Sequence, residues 1–564
     1  MKKESTVALK TRYEEKMEDI PFSSYPRPQM RRDSYICLNG KWKFRITSPA
    51  GARYDGEINV PFAPESRISG VGASVSPGDT LLYSREFEIN EDIFGKRVLL
   101  HIGACDSQCR VFVNGRAVCE QNDGYLSCDG DITDRLKPGK NIISVEARDP
   151  LDTDYPYGKQ SKKRGGMWYT KTSGIWQTVW LEIVPEGYIE GIKITPDLKG
   201  CLITVLGGLE EKLLIFEGRE YPFTGKSVRL DVENPEYWTP EDPKLYDFSI
   251  VSGTDRVESY FGLRSVECDG TRILLNGKPM FFSGLLDQGY FSDGIMLPAS
   301  ETGFLDDVTK MKKAGFNMLR KHIKLEPEIF YYYCDKYGMA VFQDMINSGR
   351  YSFFIDTALP TLFLKKGVRH SASPLRRAAF EKCALGLMDR LYNHPSVIYY
   401  TIFNEGWGQF DSGYYYRKFK EYDPTRIYDT ASGWFKVEET DVDSDHVYFK
   451  PVKAKKPVKR PLVLSEFGGY ACSIRGHRFN VKKTYGYTKY ATREEFEEAL
   501  YALYHREVIP AARAGLCASV LTQLSDVEDE TNGLITYDRR VMKIDPEKMK
   551  KVNEELYAAY REGL

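Results

Sequence analysis

The second half of the sequence alternates eight short apolar segments with stretches whose apolar residues recur at helical spacing. Runs of this length, rich in β-branched and aromatic residues, are typical of strands buried in a parallel sheet. Eight parallel strands that alternate with helices close into a (β/α)₈ barrel. We therefore predict a C-terminal TIM barrel with strands at 280–286, 316–320, 339–344, 397–404, 426–430, 446–449, 462–466 and 518–524.

Helix boundary signals fall between these segments. Ser373 followed by Pro374 predicts a helix start, because serine caps a helix and proline fits its first turn. Thr492 followed three residues later by Glu495 has the spacing of a capping box. The amphipathic pattern at 546–561 predicts a last helix that packs on the outside of the barrel.

Two β-rich regions precede the barrel. Between about 35 and 182, short strands are separated by turns such as Asn114-Gly115, and Asn-Gly turns are typical of β-hairpins in an all-β sandwich. A second β-rich region, about 188 to 267, has the length of a small immunoglobulin-like sandwich. The predicted domains are 1–185, 186–268 and 269–564.

The composition excludes some classes of function. The chain has 79 Lys and Arg against 80 Asp and Glu, so it has no basic field that would attract nucleic acid or an anionic membrane. Its N-terminus lacks the pattern of a secretory leader, and its eleven cysteines show no disulfide spacing, which predicts a cytoplasmic protein with free thiols. A small neutral ligand fits better, and 38 Tyr and 29 Phe can supply aromatic walls for a sugar.

Two glutamates stand at the ends of predicted barrel strands. Glu405 ends the fourth strand and Glu466 the seventh, and barrel enzymes place their reacting groups at this rim. Two carboxylates across the barrel mouth can flank the anomeric carbon of a sugar, one as acid/base and the other as nucleophile or base. Either glutamate alone is equally well explained as a solvated loop residue or a helix-cap partner. The pair predicts cleavage of a glycosidic bond.

Motifs in all three predicted domains stand in a consistent order: SGIWQTVWLE at 173–182, WTPEDPKLY at 238–246, FGLRSVE at 261–267, GFNMLR at 315–320, IFNE at 402–405 and LSEFGG at 464–469. This set resembles glycoside hydrolase family 2, the β-galactosidase and β-glucuronidase family, over nearly the whole chain. The resemblance implies a multidomain fold: a sugar-binding jelly-roll β-sandwich, an immunoglobulin-like β-sandwich and a catalytic (β/α)₈ TIM barrel.

The resemblance also implies roles at the matched positions. Glu405 is the expected acid/base, Glu466 the nucleophile, and Asn404 the donor of a hydrogen bond to the sugar 2-OH. Such enzymes retain anomeric configuration, and carboxyl groups about 5–5.5 Å apart leave no room for a water between nucleophile and sugar. Because Glu405 must be protonated when the aglycone leaves, we expect a raised pKa for it. The expected activity is that of a retaining exo-β-glycosidase on terminal non-reducing sugars.

Other strand ends carry further candidates for substrate binding. Arg320 can order the carboxylate of the nucleophile, and Tyr448 resembles the family tyrosine that hydrogen-bonds it. Trp434 can stack on a sugar face or wall the barrel. Beyond the eighth strand, Asp526 and Glu528 can line the pocket or be solvated loop charges.

Three more candidates have structural alternatives of about equal weight. Asp287 can accept hydrogen bonds from sugar hydroxyls or cap a turn. His322 ends the second strand as a candidate ligand for the substrate, with a structural histidine as the alternative. Asp344 closes the third strand, where it can meet the substrate or support other side chains.

The identity of the sugar depends on the loops around the pocket. Glucuronidases of the resembled family hold the substrate carboxylate with an Asn-x-Lys motif late in the barrel. Asn480-Val481-Lys482 lies in the loop after Glu466 and can reach the pocket, but the expected position near 532–534 has no lysine. We expect β-D-galactosides, with a uronic-acid glycosidase such as a β-glucuronidase as the first alternative and a non-catalytic carbohydrate-binding protein as the second.

No cofactor requirement and no metal ligand are assigned from the sequence. Some members of the resembled family use a divalent ion near the acid/base, but no matching His/Glu pattern stands around Glu405, and a divalent cation stays an open alternative. The expected partner is a small carbohydrate or glycoconjugate, with neither nucleic acid nor membrane. Assembly into a homo-oligomer is left open.

Overall fold

Two β-sandwiches are followed by a barrel, in the predicted order. The structure is a computed structural model that describes residues 6–89, 95–352, 354, 356 and 371–564. Within these residues, no helix is both long and apolar enough to cross a membrane.

The first sandwich packs a four-stranded antiparallel sheet against a six-stranded one, and its core lies between them. The predicted hairpin at Asn114-Gly115 is confirmed: φ is 50° and 77° at these residues, as the tight turn that matches strand twist requires. In sheet order, the strands are Tyr35–Cys37, Val179–Val184, Arg97–Ile102 and Cys128–Asp131, then Gly51–Val60, Gly40–Ser48, Thr80–Ile89, Gly139–Arg148, Gln108–Val113 and Arg116–Asn122.

The second sandwich has the seven strands expected of a small immunoglobulin-like domain. Its three-stranded sheet comprises Ile189–Pro196, Gly200–Gly207 and Ser227–Asp231, and its four-stranded sheet Arg219–Thr224, Glu211–Phe216, Tyr246–Ser252 and Asp255–Phe261. A short meander leads into the barrel through Val266–Asp269, Arg272–Leu275 and Lys278–Pro279.

Eight parallel strands form one sheet in circular order, with the fifth and sixth strands at its two ends. The seam between these ends is bridged by Asp441, whose backbone N–H donates to the Tyr428 carbonyl over 3.0 Å. The nearly closed TIM barrel is therefore confirmed, and each predicted strand overlaps an observed one. The strands are Phe282–Asp287, Met318–Lys321, Ala340–Asp344, Val397–Thr401, Ile427–Asp429, Asp443–Val447, Leu462–Gly468 and Leu516–Thr522.

Helices follow six of the eight strands, and the connections 430–442 and 448–461 carry none. The second of these contains three prolines, which lack the backbone N–H of a helical hydrogen bond and therefore disfavour a helix. The predicted helix starts are confirmed, since the Ser373 hydroxyl caps its helix and Thr492 forms the capping box. The α-helices are Thr302–Lys313, Glu328–Tyr337, Pro374–Leu391, Ser412–Tyr422, Arg493–Leu503, Ile509–Arg513 and Pro546–Glu562.

A buried ion cluster joins the two sandwiches. Arg32 donates to Glu182 of the first sandwich over 3.0 Å and to Asp255 of the second over 2.9 Å. Glu182 also pairs with Arg27, and its side chain is fully buried. Burial alone would raise the pKa of Glu182, but the charges of Arg27, His101 and Arg32 lower it to about 2. The carboxylate is therefore ionised and neutralises buried guanidinium groups.

Replacement of Glu182 by glutamine is expected to destabilise the protein by about 3–5 kcal/mol, because it leaves buried arginine charge uncompensated. The measurement is the free energy of unfolding in urea. The matched control is Glu186→Gln, since the Glu186 side chain is 75% exposed and its pair with Arg97 spans 3.4 Å; there we expect about 1 kcal/mol or less. Equal stabilities of the two variants would contradict this assignment.

Candidate active site

Arg320 lies at the centre of the barrel mouth, and 1% of its surface is exposed. Its Nε donates to Asp344 Oδ1 over 3.0 Å, its Nη1 to Glu466 Oε1 over 3.1 Å, and its Nη2 to Asn404 Oδ1 over 2.9 Å. A planar guanidinium with five donors can hold three groups in fixed directions at once. One side chain thus positions residues at the ends of the third, fourth and seventh strands.

Asn404 is oriented by two donors to the same oxygen. Its Oδ1 accepts from Arg320 and from Ser432 Oγ, the latter over 2.8 Å. The side-chain NH₂ group is therefore left to donate to a ligand. This orientation suits the donor role that the sequence predicts for Asn404.

Glu405 and Glu466 meet across a histidine that ends the sixth strand. His446 Nδ1 lies 2.8 Å from Glu405 Oε1, and its Nε2 lies 3.6 Å from Glu466 Oε1. Arg320 Nη1 lies 3.4 Å from Nε2 and can only donate, so we assign the proton to Nδ1, which donates to Glu405. One oxygen of each glutamate lies within 4.8 Å of the other. The two carboxylates are therefore close enough to act on one bond.

The surroundings of Glu405, His446 and His322 shift the pKa of each side chain. Burial raises the pKa of Glu405, and the positive charge of Lys159 is the largest of the charges that oppose this rise. Burial also lowers the pKa of His446 to about 4 and that of His322 to about 3. Both imidazoles are thus neutral near pH 7. A fraction of Glu405 side chains can stay protonated at pH values above those at which a glutamate ordinarily ionises.

Glu466 has both carboxylate oxygens held. Arg320 donates to Oε1 over 3.1 Å, and the Tyr448 hydroxyl donates to Oε2. The Tyr448 ring stacks on Tyr487 with centroids 4.1 Å apart. These contacts fix the direction of the carboxylate, and Tyr448 stands where the sequence predicts it.

Asp344 and His322 form a pair beneath this centre. His322 Nδ1 lies 2.6 Å from Asp344 Oδ2, while Asp344 Oδ1 accepts from Arg320. Burial alone would raise the pKa of Asp344, but the charge of Arg320 and the bond from His322 hold it below its ordinary value. Both oxygens of Asp344 thus accept hydrogen bonds from protein groups. This favours the alternative in which Asp344 supports other side chains and does not contact the substrate. His322 has Nε2 as the atom able to meet a ligand.

Two predicted substrate contacts at the rim are engaged with protein groups. Asp287 accepts from Lys321 Nζ over 2.6 Å and from the Gly289 backbone over 2.9 Å. This arrangement matches the turn-capping alternative. Asp526 accepts from Lys543 Nζ over 2.6 Å, so it is a buried ion-pair partner.

The Asn480 motif is likewise taken up by its own loop. Asn480 Oδ1 accepts from the backbone of Lys482 and Lys483, and its Nδ2 donates to Asp529 over 2.9 Å. The Lys482 side chain is exposed. Among the residues that the structure describes, no hydrogen bond or ion pair joins Asn480 or Lys482 to Glu405 or Glu466.

Trp434 and Glu528 occupy the walls of the site. The Trp434 ring packs edge-on against His446 with centroids 5.5 Å apart, which keeps both of its predicted roles open. Glu528 Oε1 accepts from the backbone N–H of Thr170 over 2.8 Å. A loop of the first sandwich therefore reaches the rim of the barrel.

Sequence reasoning missed His446, Ser432 and Lys159. His446 had a signal, because it lies two residues before Tyr448 in the predicted strand 446–449, and alternate residues of a strand share a face. Lys159 had no such signal, because it belongs to the first sandwich and lies far in sequence from the barrel motifs. The residue is 9% exposed, and no hydrogen bond or ion pair holds its ammonium group among residues 6–89, 95–352, 354, 356 and 371–564. Its charge acts on Glu405, His322 and Glu530, which places it beside the pocket.

A resident divalent cation does not fit the cluster. Glu405, His446 and Glu466 form the one three-residue group with metal-ligand spacing in the described part of the chain. Arg320 Nη1 stands 3.1 Å from Glu466 and 3.4 Å from His446, so a fixed positive charge already faces these ligand atoms. These three residues therefore do not support the alternative of a bound divalent ion that the sequence left open.

Family models match all three parts of the chain. Residues 53–185 match the model described as the sugar-binding domain of glycosyl hydrolases family 2, residues 204–264 match glycosyl hydrolases family 2, and residues 266–542 match its TIM barrel domain. The chain belongs to glycoside hydrolase family 2. The family assignment made from the motifs is confirmed.

Curated relatives and solved structures carry different names. A β-galactosidase of Vibrio vulnificus (strain YJ016) is 25% identical over 434 residues, which cover 70% of this chain and 38% of the relative. A β-galactosidase of Pseudoalteromonas haloplanktis is 25% identical over 476 residues, which cover 75% and 42%. The chain thus spans about two-fifths of the length of these relatives.

Structural similarity extends over nearly the whole chain. The β-D-glucuronidase of Dictyoglomus thermophilum superposes with a TM-score of 0.72 at 19% identity, covering 94% of this chain and 98% of that one. A β-galacturonidase of Eisenbergiella tayi bound to galacturonate gives 0.71 at 20% identity, covering 94% and 99%. At these identities the likeness establishes the shared fold.

Proposed function

We propose that this protein is a retaining exo-β-glycosidase that cleaves terminal β-linked sugars by double displacement. The observation that carries the proposal is the approach of the Glu405 and Glu466 carboxylates, which bring oxygens within 4.8 Å of each other. Inverting enzymes need a wider gap of about 6.5–9.5 Å to admit a water. Membership of glycoside hydrolase family 2 supports the same reaction.

In the first displacement, Glu466 attacks the anomeric carbon while Glu405 gives its proton to the glycosidic oxygen. The bond from that carbon to the aglycone oxygen breaks as the bond to a Glu466 oxygen forms, and the aglycone leaves as an alcohol. Arg320 and Tyr448 hold the nucleophile in one direction. The NH₂ group of Asn404 is available for the sugar 2-OH.

In the second displacement, Glu405 acts as a base. It accepts a proton from water, whose oxygen attacks the anomeric carbon and releases Glu466 as a carboxylate. Once Glu466 is esterified, its negative charge is gone, and the pKa of Glu405 falls because no neighbouring carboxylate opposes its ionisation. The hydrogen bond from neutral His446 favours the ionised form of Glu405 at this stage.

For the sugar, we propose a β-D-galactoside. The names of the curated relatives support this choice, and Asn480 already donates to Asp529 and accepts from the backbone of Lys482 and Lys483. A β-linked uronic acid is the second candidate, because the charge of Lys159 acts on Glu405 and its ammonium group forms no ion pair within the part of the chain that the structure describes. A desolvated ammonium can bind a carboxylate selectively.

Substitution of the two glutamates separates their roles. Glu466→Gln is expected to lower kcat on a nitrophenyl β-glycoside by at least about 10⁴-fold, because the nucleophile is lost. Glu405→Gln should spare the first step with this good leaving group and should remove the alkaline limb of the kcat/KM profile, since that limb reports ionisation of the acid. Near-normal turnover by Glu466→Gln would refute the mechanism.

The choice of sugar is tested with nitrophenyl β-galactoside, β-glucuronide and β-galacturonide and with Lys159→Met. We expect the highest kcat/KM on the galactoside, and a preference among the three sugars that Lys159→Met leaves unchanged. In either case the variant should move the alkaline limb to higher pH, because the Lys159 charge lowers the pKa of Glu405. A uronide preference that Lys159→Met reduces about tenfold or more would select the second candidate.

A further inference from the structure

Four of the eleven cysteines lie together at one edge of the first sandwich. Here the last strand of the six-stranded sheet, Arg116–Asn122, lies beside the last strand of the four-stranded sheet, Cys128–Asp131. The two strands are in close contact, because a Cβ added to Gly130 would lie 2.4 Å from Cγ1 of Val118. The four residues are Cys105, Cys109, Cys119 and Cys128, and their thiols are free.

The row of thiols runs from the core of the sandwich to its surface. Cys109 is hydrogen-bonded to Cys105 and to Cys128. Cys128 is in turn hydrogen-bonded to Cys119. Cys105, Cys109 and Cys128 are each at most 3% exposed, whereas Cys119 is half-buried. A small molecule from solvent therefore meets the row first at Cys119.

The second thiol of the row, Cys128, is the one whose surroundings favour the thiolate. Hydrogen bonds from Cys109 and Cys119 lower the pKa of Cys128 against the opposing effect of burial, and the positive charge of Lys382 also lowers it. The hydrogen bond to Cys128 and burial raise the pKa of Cys119. Because the thiolate is the form that attacks a disulfide, Cys128 is suited to attack a sulfur bound to Cys119.

The segment between these two cysteines docks the first sandwich on a helix of the barrel. Lys382 of that helix donates to Gln121 Oε1 over 2.5 Å. Leu126 packs closely on Gly386 of the same helix, where an added Cβ would lie 2.7 Å from Leu126 Cδ1. Gln121 Nε2 also donates to the Ser127 carbonyl over 3.0 Å. A covalent bond between the ends of this segment would therefore restrain a contact between two domains.

We propose that Cys119 and Cys128 form a reversible oxidation site, where exchange with a small disulfide joins the two sheet edges and stabilises the contact with the barrel. The Cys119 sulfur attacks one sulfur of the small disulfide, and the other half leaves as a thiolate that takes up the Cys119 proton. The Cys128 thiolate then attacks the Cys119 sulfur, and the second half leaves as a thiolate. The two cysteines thus lose two electrons, and the small disulfide is reduced to two thiols.

The test is to bring the whole chain to equilibrium with an excess of glutathione disulfide and to digest it without a reductant. Trypsin cleaves after Arg116 and Arg135, so both cysteines fall in one peptide. A second cut after Glu120 separates them unless a disulfide holds the two pieces together. We expect mass spectrometry to find the pieces joined, and dithiothreitol to release them. Free thiols at both positions, or a disulfide from Cys128 to Cys109, would overturn the proposal.

Serine variants separate the two steps. Cys128→Ser should stop at a mixed disulfide of glutathione with Cys119, because the second nucleophile is gone. Cys119→Ser should leave Cys128 unmodified, since Cys128 is 3% exposed. Cys37→Ser is the matched control, because Cys37 is a half-buried cysteine of the same sandwich, and it should form the internal disulfide as wild type does. An internal disulfide of Cys128 in Cys119→Ser would contradict the assigned pair.

A second readout follows the domain contact and needs no glycoside substrate. Amide hydrogen exchange of residues 120–127 is expected to be about tenfold slower in oxidised than in reduced wild type, because the closed ring restricts local opening. The same treatment should leave exchange in Cys119→Ser unchanged. Equal exchange in the two forms of the wild type would overturn the stabilising effect on the contact.

Discussion

The guanidinium of Arg320 is the interaction on which the rest of the site depends. It holds the carboxylate of Glu466, the amide of Asn404 and the carboxylate of Asp344 within 3.1 Å of its nitrogens. A buried cation is costly unless anions and acceptors surround it, and the strand ends supply them here. The same contacts that neutralise Arg320 therefore aim the groups that are proposed to act on the sugar.

The site belongs to two domains, not to the barrel alone. Thr170 of the first sandwich donates to Glu528, Tyr169 pairs with Glu530, and Lys159 lowers the pKa of Glu405. The barrel would then supply the chemistry, while the first sandwich shapes the entrance and sets part of its charge.

Much of this arrangement was readable from local patterns. Apolar segments located all eight strands, and Asn114-Gly115 located a hairpin, because both signals act over a few residues. The partners of Asp287 and Asn480 were not readable, since Lys321 lies on the neighbouring strand and Asp529 beyond the eighth. Lys159 reaches the pocket because the first sandwich packs against the barrel, and no pattern near the barrel motifs predicts this packing. The absence of helices after the fifth and sixth strands was also not anticipated.

The most direct test of the two-carboxylate account is to trap the glycosyl-enzyme. An activated 2-deoxy-2-fluoro β-glycoside of the preferred sugar slows the second displacement, and mass spectrometry of the digested protein then locates the adduct. The account predicts one sugar per chain, attached to the peptide that contains Glu466, and its disappearance in Glu466→Gln. An adduct on another residue, or turnover without any covalent intermediate, would contradict it.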